Sequence, residues 1–424
     1  MSWALLPAVL VGAPLFALVA VASMAGFAAE GVDPAALVVE VLRLGQTPVL
    51  AAVPMFTLAG YVLSEARTAD RLVALSCATL GWMPGGLALV SLVACALFTA
   101  FTGASGVTII ALGALLYPAL RKAGYGERFS LGLVTSAGSL GLLFAPSLPL
   151  ILYGVVVQQM EGVSGVTIER LFLAGLVPGL LMVAAMSAWA IWVQRGRRGG
   201  CAPFSRQELA RALWAARWEL PIPPLVLGGI YGGWLAVSEV AVAVLLYVIL
   251  VEVVILREVG PRRLLWAVRE SAVLVGAVFV IVGTALAFTN LLVEWDLPAR
   301  LTAAVQAHLA SRWQFLLALN VFLLLLGAVL DVFSALVIVV PLLVPLARAY
   351  GVDPLHLGVI FLANMQIGYF TPPVGMNLFI ASHRLGRPVL ALYRAAVPFM
   401  LLLMAVVLVI TFVPSLSLGL AGAG

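Results

Sequence analysis

Charge is what this chain lacks. Asp, Glu, Lys and Arg make up 10% of its 424 residues, where a soluble globular domain carries about 25%. So few ionised groups cannot clothe a soluble protein of this size. Histidine and cysteine are also scarce, three of each, and Lys122 is the single lysine. Cys77 and Cys95 lie in apolar stretches and Cys201 in a basic one, with neither a paired framework nor metal-ligand spacing. His308 and His356 fall in expected external loops and His383 at an inner helix end. All three are read as surface histidines, because no partners stand at catalytic spacing. No Gly-rich loop ending in Lys-Ser or Lys-Thr occurs, which argues against ATP hydrolysis by this chain.

Apolar residues fill the space, at 64% of the chain, and mean hydropathy is +1.17. Stretches such as Ser271–Leu292 and Ala395–Pro414 reach the roughly 20 residues that span a bilayer. Trp3–Ala22 is too long for a signal-peptide core and reads as a first spanning helix. The net charge of +5 is then a matter of loop charges and not of nucleic-acid binding.

Those charges orient the chain. Arg195, Arg197, Arg198, Arg206, Arg211 and Arg217 form one basic cluster, and Arg257, Arg262, Arg263 and Arg269 another. The positive-inside rule puts both in the cytoplasm. Between them a helical pair, 219–234 and 236–256, turns at Gly228, Gly229, Gly232 and Gly233. Tracing outward, residues 84–120 and 314–348 each enter and leave on one side, as re-entrant hairpins. The loop with Glu30, Asp33 and Glu40 and the loop with Glu294, Asp296, Arg300 and Arg312 fall outside. Residues 129–157 and 357–382 cross as helices broken at Pro146 and Pro149 and at Pro372 and Pro373. The N-terminus is expected in the cytoplasm and the C-terminus in the periplasm.

Hairpin and break occur twice with the same punctuation. Gly60, Gly103, Pro118, Gly124, Gly132 and Pro146 are spaced by 43, 15, 6, 8 and 14 residues. Gly283, Gly327, Pro345, Gly351, Gly358 and Pro372 follow at 44, 18, 6, 7 and 14. Leu-Tyr-Pro-Ala-Leu-Arg-Lys-Ala-Gly at 116–124 matches Leu-Val-Pro-Leu-Ala-Arg-Ala-Tyr-Gly at 343–351. The loop charges place the copies in opposite orientations. The expected fold is therefore an all-α polytopic membrane protein with inverted-topology repeats, each holding a re-entrant hairpin and a broken transmembrane helix. Such repeats point to a secondary transporter and to its binding site. The expected division is 1–47, an N-terminal helix and external loop; 48–157, the first repeat; 158–270, scaffold helices with basic loops; 271–383, the second repeat; and 384–424, a C-terminal helix.

Backbone that leaves a helix at membrane depth has to be buried in protein or line a wet cavity. Four such places are expected: the tips 102–108 and 327–334, and the breaks 145–149 and 371–375, each tip against the break of its own copy. Freed carbonyls suit Na⁺, and freed N–H groups suit an anion. The hydroxyls of Thr102, Ser105, Ser147 and Thr371 can complete either kind of site. Asp331, ionisable within an apolar run, is either a Na⁺ ligand or the cap of a half-helix starting near Phe333. Asn364 and Asn377 flank the second break, as backbone partners or ligands. Glu239 reads as a charge at a helix N-terminus. An intramembrane enzyme would need more than Asp331 at depth, and opposed tips fit alternating access better than a channel.

At these residues the chain resembles the large membrane subunit of the tripartite ATP-independent periplasmic (TRAP) transporters. The likeness is carried by Pro54-Met-Phe-Thr-Leu-Ala-Gly60, by Thr102-Gly-Ala-Ser-Gly106 running to Ala111-Leu-Gly113, and by Pro146-Ser-Leu-Pro149 with Tyr153-Gly154. Gly228-Gly-Ile-Tyr-Gly232 with Glu239-Val-Ala241 adds to it, and Gly368-Tyr-Phe-Thr-Pro-Pro-Val-Gly-Met-Asn377 is the most specific part. The resemblance implies an elevator-type, Na⁺-coupled importer of an organic acid anion in the bacterial inner membrane. It also implies two partners, a small four-helix membrane subunit on a separate chain and a periplasmic substrate-binding protein. It implies one Na⁺ site at Gly103, Ser105, Pro146 and Ser147, and another at Gly327, Asp331, Thr371 and Gly375. The anion would sit between the tips, near Thr102, Ala104, Ser334, Pro372 and Asn377. Na⁺ is the coupling ion and no cofactor is implied. Ala145-Pro146-Ser147 departs from the Pro-Pro-Ser of many relatives. A stand-alone Na⁺-coupled anion carrier of similar build, needing no binding protein, is the alternative.

Overall fold

A computed structural model describes residues 13–45, 47–83, 85–160, 163, 165–194, 204–232 and 234–422. The start of Trp3–Ala22, Pro84, Cys201, Gly233 and the arginines 195, 197 and 198 lie outside the described residues. Regular structure among the described residues is helical throughout. Among the described residues seven helices are long and apolar enough to cross a membrane, or eight if a bent pair is one span.

The chain opens with α1 (Leu15–Ala29), α2 (Ala36–Leu44) and α3 (Ala52–Glu65). Then α4 (Thr68–Leu80) leads into a helical hairpin. Its first limb is α5 (Gly86–Thr102). Its second is α6 (Ser105–Thr108), a π-helical stretch Ile109–Gly113, and α7 (Ala114–Lys122). A broken helix follows as α8 (Glu127–Ala137), a short turn Leu140–Leu143, and α9 (Leu148–Gln158), bent by 41°. The middle of the chain holds α10 (Ile168–Val193), α11 (Arg206–Ala215), α12 (Ile222–Tyr231) and α13 (Val237–Ile249), the last opening into a π-helical stretch Leu250–Ile255. The long α14 (Pro261–Glu294) and α15 (Leu297–His308) precede a second hairpin, α16 (Arg312–Val329) and α17 (Val332–Ala349). A second broken helix is α18 (Pro354–Gly368) and α19 (Met376–Leu385), and α20 (Val389–Phe412) and α21 (Ser415–Ala421) close the chain.

Local chemistry sets the helix ends. Ser311 and Gln314 form a capping box at the start of α16. Asp353 caps α18 through Leu355 N–H, with Pro354 in the first turn, where its missing N–H costs nothing. Both hairpins end in the same C-terminal motif. Gly124 and Gly351 adopt φ of +83° and +68°. Beyond each, the next N–H reaches back five residues, Tyr125 to Leu120 O and Val352 to Ala347 O. A residue with a Cβ is strained at such a φ, so the matching Gly in the two sequence copies has a backbone cause.

The copies pack reciprocally. Helix α9 of the first broken helix lies on α17, the second limb of the second hairpin. Helix α19 lies on the π-helical stretch and α7 of the first hairpin. In the same way α20 packs on α8 and α10 on α18. At the centre, α18 is buried from Leu355 to Gly368, as expected of a helix apolar on every face. Helix α3 packs on α13 and α14, and α14 also on α1 and α2; this group meets the hairpins where α14 packs on α17 and α3 on α5.

Three expectations need correction. His356 is fully buried, because α18 starts at Pro354 and carries it in its first turn. Its Nδ1 lies 2.6 Å from Ser417 Oγ and its Nε2 3.1 Å from Thr411 O, so the ring is satisfied inside the protein. The segment holding Asp296 and Arg300 is not a loop but contains α15, with Pro298 in its first turn. The described part of the first helix runs to Ala29 and not to Ala22.

Gly327 and Gly368 touch backbone to backbone. A Cβ on Gly368 would stand 2.5 Å from Gly327 Cα and C. Gly368→Ala is expected to cost about 1–3 kcal/mol through overpacking. Gly276, with nothing within 4 Å of its would-be Cβ, is the control. Thermal melting of the detergent-solubilised protein should fall for Gly368→Ala and stay unchanged for Gly276→Ala.

Candidate functional site

The first hairpin turns on Gly103, whose φ of +66° ends α5 while its N–H bonds Thr99 O at 2.8 Å. Ala104 is extended and Ser105 starts the second limb. A Cβ on Gly103 would meet the Leu148 side chain at 2.5 Å, so the first tip lies directly against the first break. Around this contact five oxygens gather. Thr99 Oγ donates to Gly138 O at 2.9 Å, and Thr108 Oγ lies 2.6 Å from Thr99 Oγ and 3.4 Å from Ala104 O. Thr102 Oγ reaches Ala104 O at 3.5 Å. In the break, Ser147 Oγ donates to Leu142 O and accepts from Leu150 N–H, capping α9. Ser139 Oγ donates to Gln366 O at 3.0 Å, tying the first break to α18.

The second tip is built around Asp331. Its carboxylate accepts from Phe333 N–H at 2.9 Å, Ser334 N–H at 3.0 Å and Ser334 Oγ–H at 2.5 Å. Of its two readings, the cap is the one this geometry displays, and Ser334 is drawn into it. Val332 N–H donates to Tyr369 Oη, and Gly375 N–H to Ala328 O at 3.1 Å, so this tip too lies against its own break. Thr371 Oγ donates back to Ile367 O at 2.8 Å. Gly375, at φ +56°, is closed in by Thr371 O and redirects the chain into α19. The Ala145–Pro146 and Pro372–Pro373 peptide bonds are cis.

A bond between the copies joins the two halves. Ser105 Oγ donates to Asn377 Oδ1 at 2.8 Å, across 272 residues of sequence. Arg384 Nε donates to Ile110 O at 3.0 Å, within the π-helical stretch of the first hairpin. Contacts thus run without a gap from Leu148 to Gly103, Ser105, Asn377, Gly375 and Ala328. Asn377 is fully buried, yet its Nδ2 has no hydrogen-bond partner among the described residues. Asn364 donates to Asn320 Oδ1 and Ile360 O and belongs to a separate buried network with Thr411. Glu239 accepts from Ala236 N–H at the start of α13.

The two pairs differ in exposure. Gly103, Ser105, Pro146 and Ser147 are buried, whereas Pro372, Pro373 and Val374 are exposed beside the buried Thr371 and Gly375. A cavity of about 940 Å³ lies elsewhere, between α2, α14 and α15 on one side and α9 and α17 on the other. Glu40, Gln159, Asn290, Asp296 and Pro341 help to line it. Thr99, Gly138 and Ser139 join the first tip and break through these bonds and were not singled out in the sequence. Only their positions beside the tip and the break could have signalled them.

A multi-helix membrane protein whose helices break where hairpin tips meet them is built as secondary transporters are. The profile of the family described as "Tripartite ATP-independent periplasmic transporter, DctM component" matches residues 3–416, and the chain belongs to this family of transporter permeases, which are not enzymes. It is 33% identical to the isethionate TRAP transporter permease protein DctMQ of Oleidesulfovibrio alaskensis, over 97% of this chain and 64% of that longer relative. It is 32% identical to the C4-dicarboxylate TRAP transporter large permease protein DctM of Pseudomonas aeruginosa, over 91% of this chain and 88% of that one. Among solved structures, the YdaH transporter of Alcanivorax borkumensis superposes with a TM-score of 0.60 at 14% identity. That match covers 88% of this chain and 89% of the other, a likeness of fold alone.

Asp331 offers a direct test of the tip. Asp331→Ala removes the cap and is expected to lower stability by about 1–2 kcal/mol. Asp331→Asn keeps a side-chain acceptor and should retain most of it. Melting temperatures of the two variants against the parent decide.

Proposed function

We propose that this chain is the Na⁺-coupled permease of a tripartite importer for a small organic acid anion, working by elevator-type alternating access. The observation that carries the reading is the Ser105–Asn377 bond, because it is a polar seam that ties the tip of one copy to the break of the other. Alternating access needs such a seam, since both copies have to respond to one bound ligand. The loop charges support opposite orientations of the copies, 48–157 with its hairpin 84–120 and 271–383 with its hairpin 314–348. They put the N-terminus in the cytoplasm and the C-terminus in the periplasm. The hairpins and broken helices form the moving unit, and α1–α3 with α12–α14 the scaffold. The cavity between α14 and α17 marks a gap between the two.

Na⁺ takes hard oxygen ligands, and the first site supplies them at Gly103, Ser105, Pro146 and Ser147, with Thr99, Thr108 and Gly138 added by geometry. The second lies at Gly327, Asp331, Thr371 and Gly375. Ser147, Thr371 and Asp331 already serve the backbone, so their part is to aim main-chain carbonyls at the ion. The anion binds near Thr102, Ala104, Ser334, Pro372 and Asn377, and Asn377 Nδ2 is the donor left free for a carboxylate or sulfonate oxygen. Two relatives, named for isethionate and for C4-dicarboxylates, favour that substrate class. By linkage, Na⁺ raises anion affinity by the same factor as the anion raises Na⁺ affinity. The partners are a separate small membrane subunit and a periplasmic binding protein.

Uptake into proteoliposomes containing the chain and its small subunit tests this. The binding protein is supplied loaded with labelled acid. Uptake should require an inward Na⁺ gradient, which K⁺ cannot replace, and also the binding protein. Na⁺-driven uptake without the binding protein would favour the stand-alone carrier instead. Ser105→Ala should lower uptake by about tenfold or more, the worth of one buried hydrogen bond to a polar partner, while the protein still folds.

A further inference from the structure

Arg71 of α4 is the centre of a charge cluster well away from the tips. Its Nε pairs with Glu219, its Nη2 with Glu252 at 3.1 Å and its Nη1 with Glu258 at 2.6 Å. Thr68 Oγ donates to Glu252 at 3.3 Å, and Arg67 N–H to Glu258 at 2.9 Å. The three acids come from separate pieces of chain. Glu219 lies in the turn between α11 and α12, Glu252 in the π-helical stretch after α13, and Glu258 in the loop beyond.

The backbone is bent to assemble them. The π-helical stretch ends at Ile255, and the N–H groups of Glu258 and Val259 both reach back to Glu252 O, at 2.9 and 3.3 Å. Between them Arg257 has φ +53°, a conformation that costs a non-glycine residue about 1 kcal/mol or more. π-Bulges and such outliers collect where a fold has a use for them.

The charges do not balance. Three carboxylates face one guanidinium, and no further cation reaches them among the described groups. Arg217, next but one to Glu219, stacks over Trp214 at 4.4 Å and donates to Trp214 O. Arg263 donates to Glu65 O. Tyr247, the remaining titratable neighbour, donates its hydroxyl to Trp218 O. Glu219 is 5% exposed, and its Oε2 is buried with no hydrogen-bond partner. An ionised carboxylate with an orphan oxygen in such a place is costly. A proton would remove one surplus charge and with it much of that cost. The described residues contain no group of three acids, histidines or cysteines close enough to hold a metal ion.

We propose that this cluster is a proton-binding site at the joint between α4 and the helices behind it. One proton is held by the Glu219 and Glu252 pair beside Arg71, and its release loosens the joint. Burial holds the Glu219 carboxyl above the usual carboxylate range against the opposing pull of Arg71. A raised carboxyl pKa gives stability that is present on the acid side and is lost as pH rises through the folded-state value. Above it the joint carries two uncancelled negative charges and repels itself. Helix α4 connects α3 to the first hairpin, so the consequence for transport rests on the elevator reading. The proton site itself does not.

The test uses the full chain with its small subunit in nanodiscs, titrated upward from the usual carboxylate range, about pH 4 to about pH 9. Infrared difference spectra should show a protonated carboxyl disappearing as pH rises. Glu219→Gln, neutral and of the same shape, should abolish that signal together with the fall in melting temperature across the same range. If both persist in Glu219→Gln and also in Glu252→Gln and Glu258→Gln, the proposal is overturned. In proteoliposomes, raising pH on the side that bears α4 should change the uptake rate by about threefold, a modest coupling, and Glu219→Gln should remove the dependence while keeping uptake. A pH dependence of uptake that survives in Glu219→Gln also counts against it. Absence of uptake with the spectral change intact would sink the transporter reading and leave the proton site standing.

Discussion

Everything in this molecule turns on one requirement: a backbone that leaves its helix in an apolar interior has to find partners inside the protein. Four segments do so here, and they meet the requirement together. Glycine allows the approach, as where Gly327 meets Gly368 or Gly103 meets Leu148. Small polar side chains then take up the freed groups: Ser147 on Leu142 O, Thr371 on Ile367 O and Asp331 on two N–H groups. The polar residues of the region are thus mostly spent on holding a non-helical shape. What they hold ready is main-chain oxygen and nitrogen, which suits ligands recognised by charge and size more than by detailed outline.

The two tip–break pairs are alike in plan and unlike in setting. The first is enclosed, stitched to α18 through Ser139 and to α19 through Asn377. The second leaves Pro372, Pro373 and Val374 on the surface. Under the alternating-access proposal the two copies are expected to differ in this way in any one conformation, and to exchange surroundings in the opposite one.

Much of this was readable in the residues, for a physical reason. Gly and Pro act on their own backbone, so their spacing reports where helices end whatever surrounds them. The hairpins, the breaks and the shared Gly124 and Gly351 endings were legible in that way. Asp331 was half legible: a carboxylate before a half-helix suits a cap and an ion alike, and the choice depends on Ser334 being within reach. Ser105 and Asn377 were each singled out, but punctuation tells where a chain bends and not which bends meet, so their bond was hidden. His356 was misplaced although its signal was present, since Asp353-Pro354 is a good helix start and moves the helix back over the histidine. The Arg71 cluster was hidden for a different cause. Its acids are dispersed over 40 residues of sequence, and the π-helical stretch that brings Glu252 and Glu258 together has no marker in the residues that form it.

The reciprocal packing of α9 on α17 and α19 on the first hairpin has a consequence for how such a chain arose. Each half presents a broken helix that packs on the other half's hairpin as well as on its own. A half-length ancestor would therefore have left one face of its hairpin and broken helix bare, a face that a second identical chain could cover by lending its own helix. Joining the two into one polypeptide made that exchange internal, and freed the halves to diverge while keeping them obliged to fit.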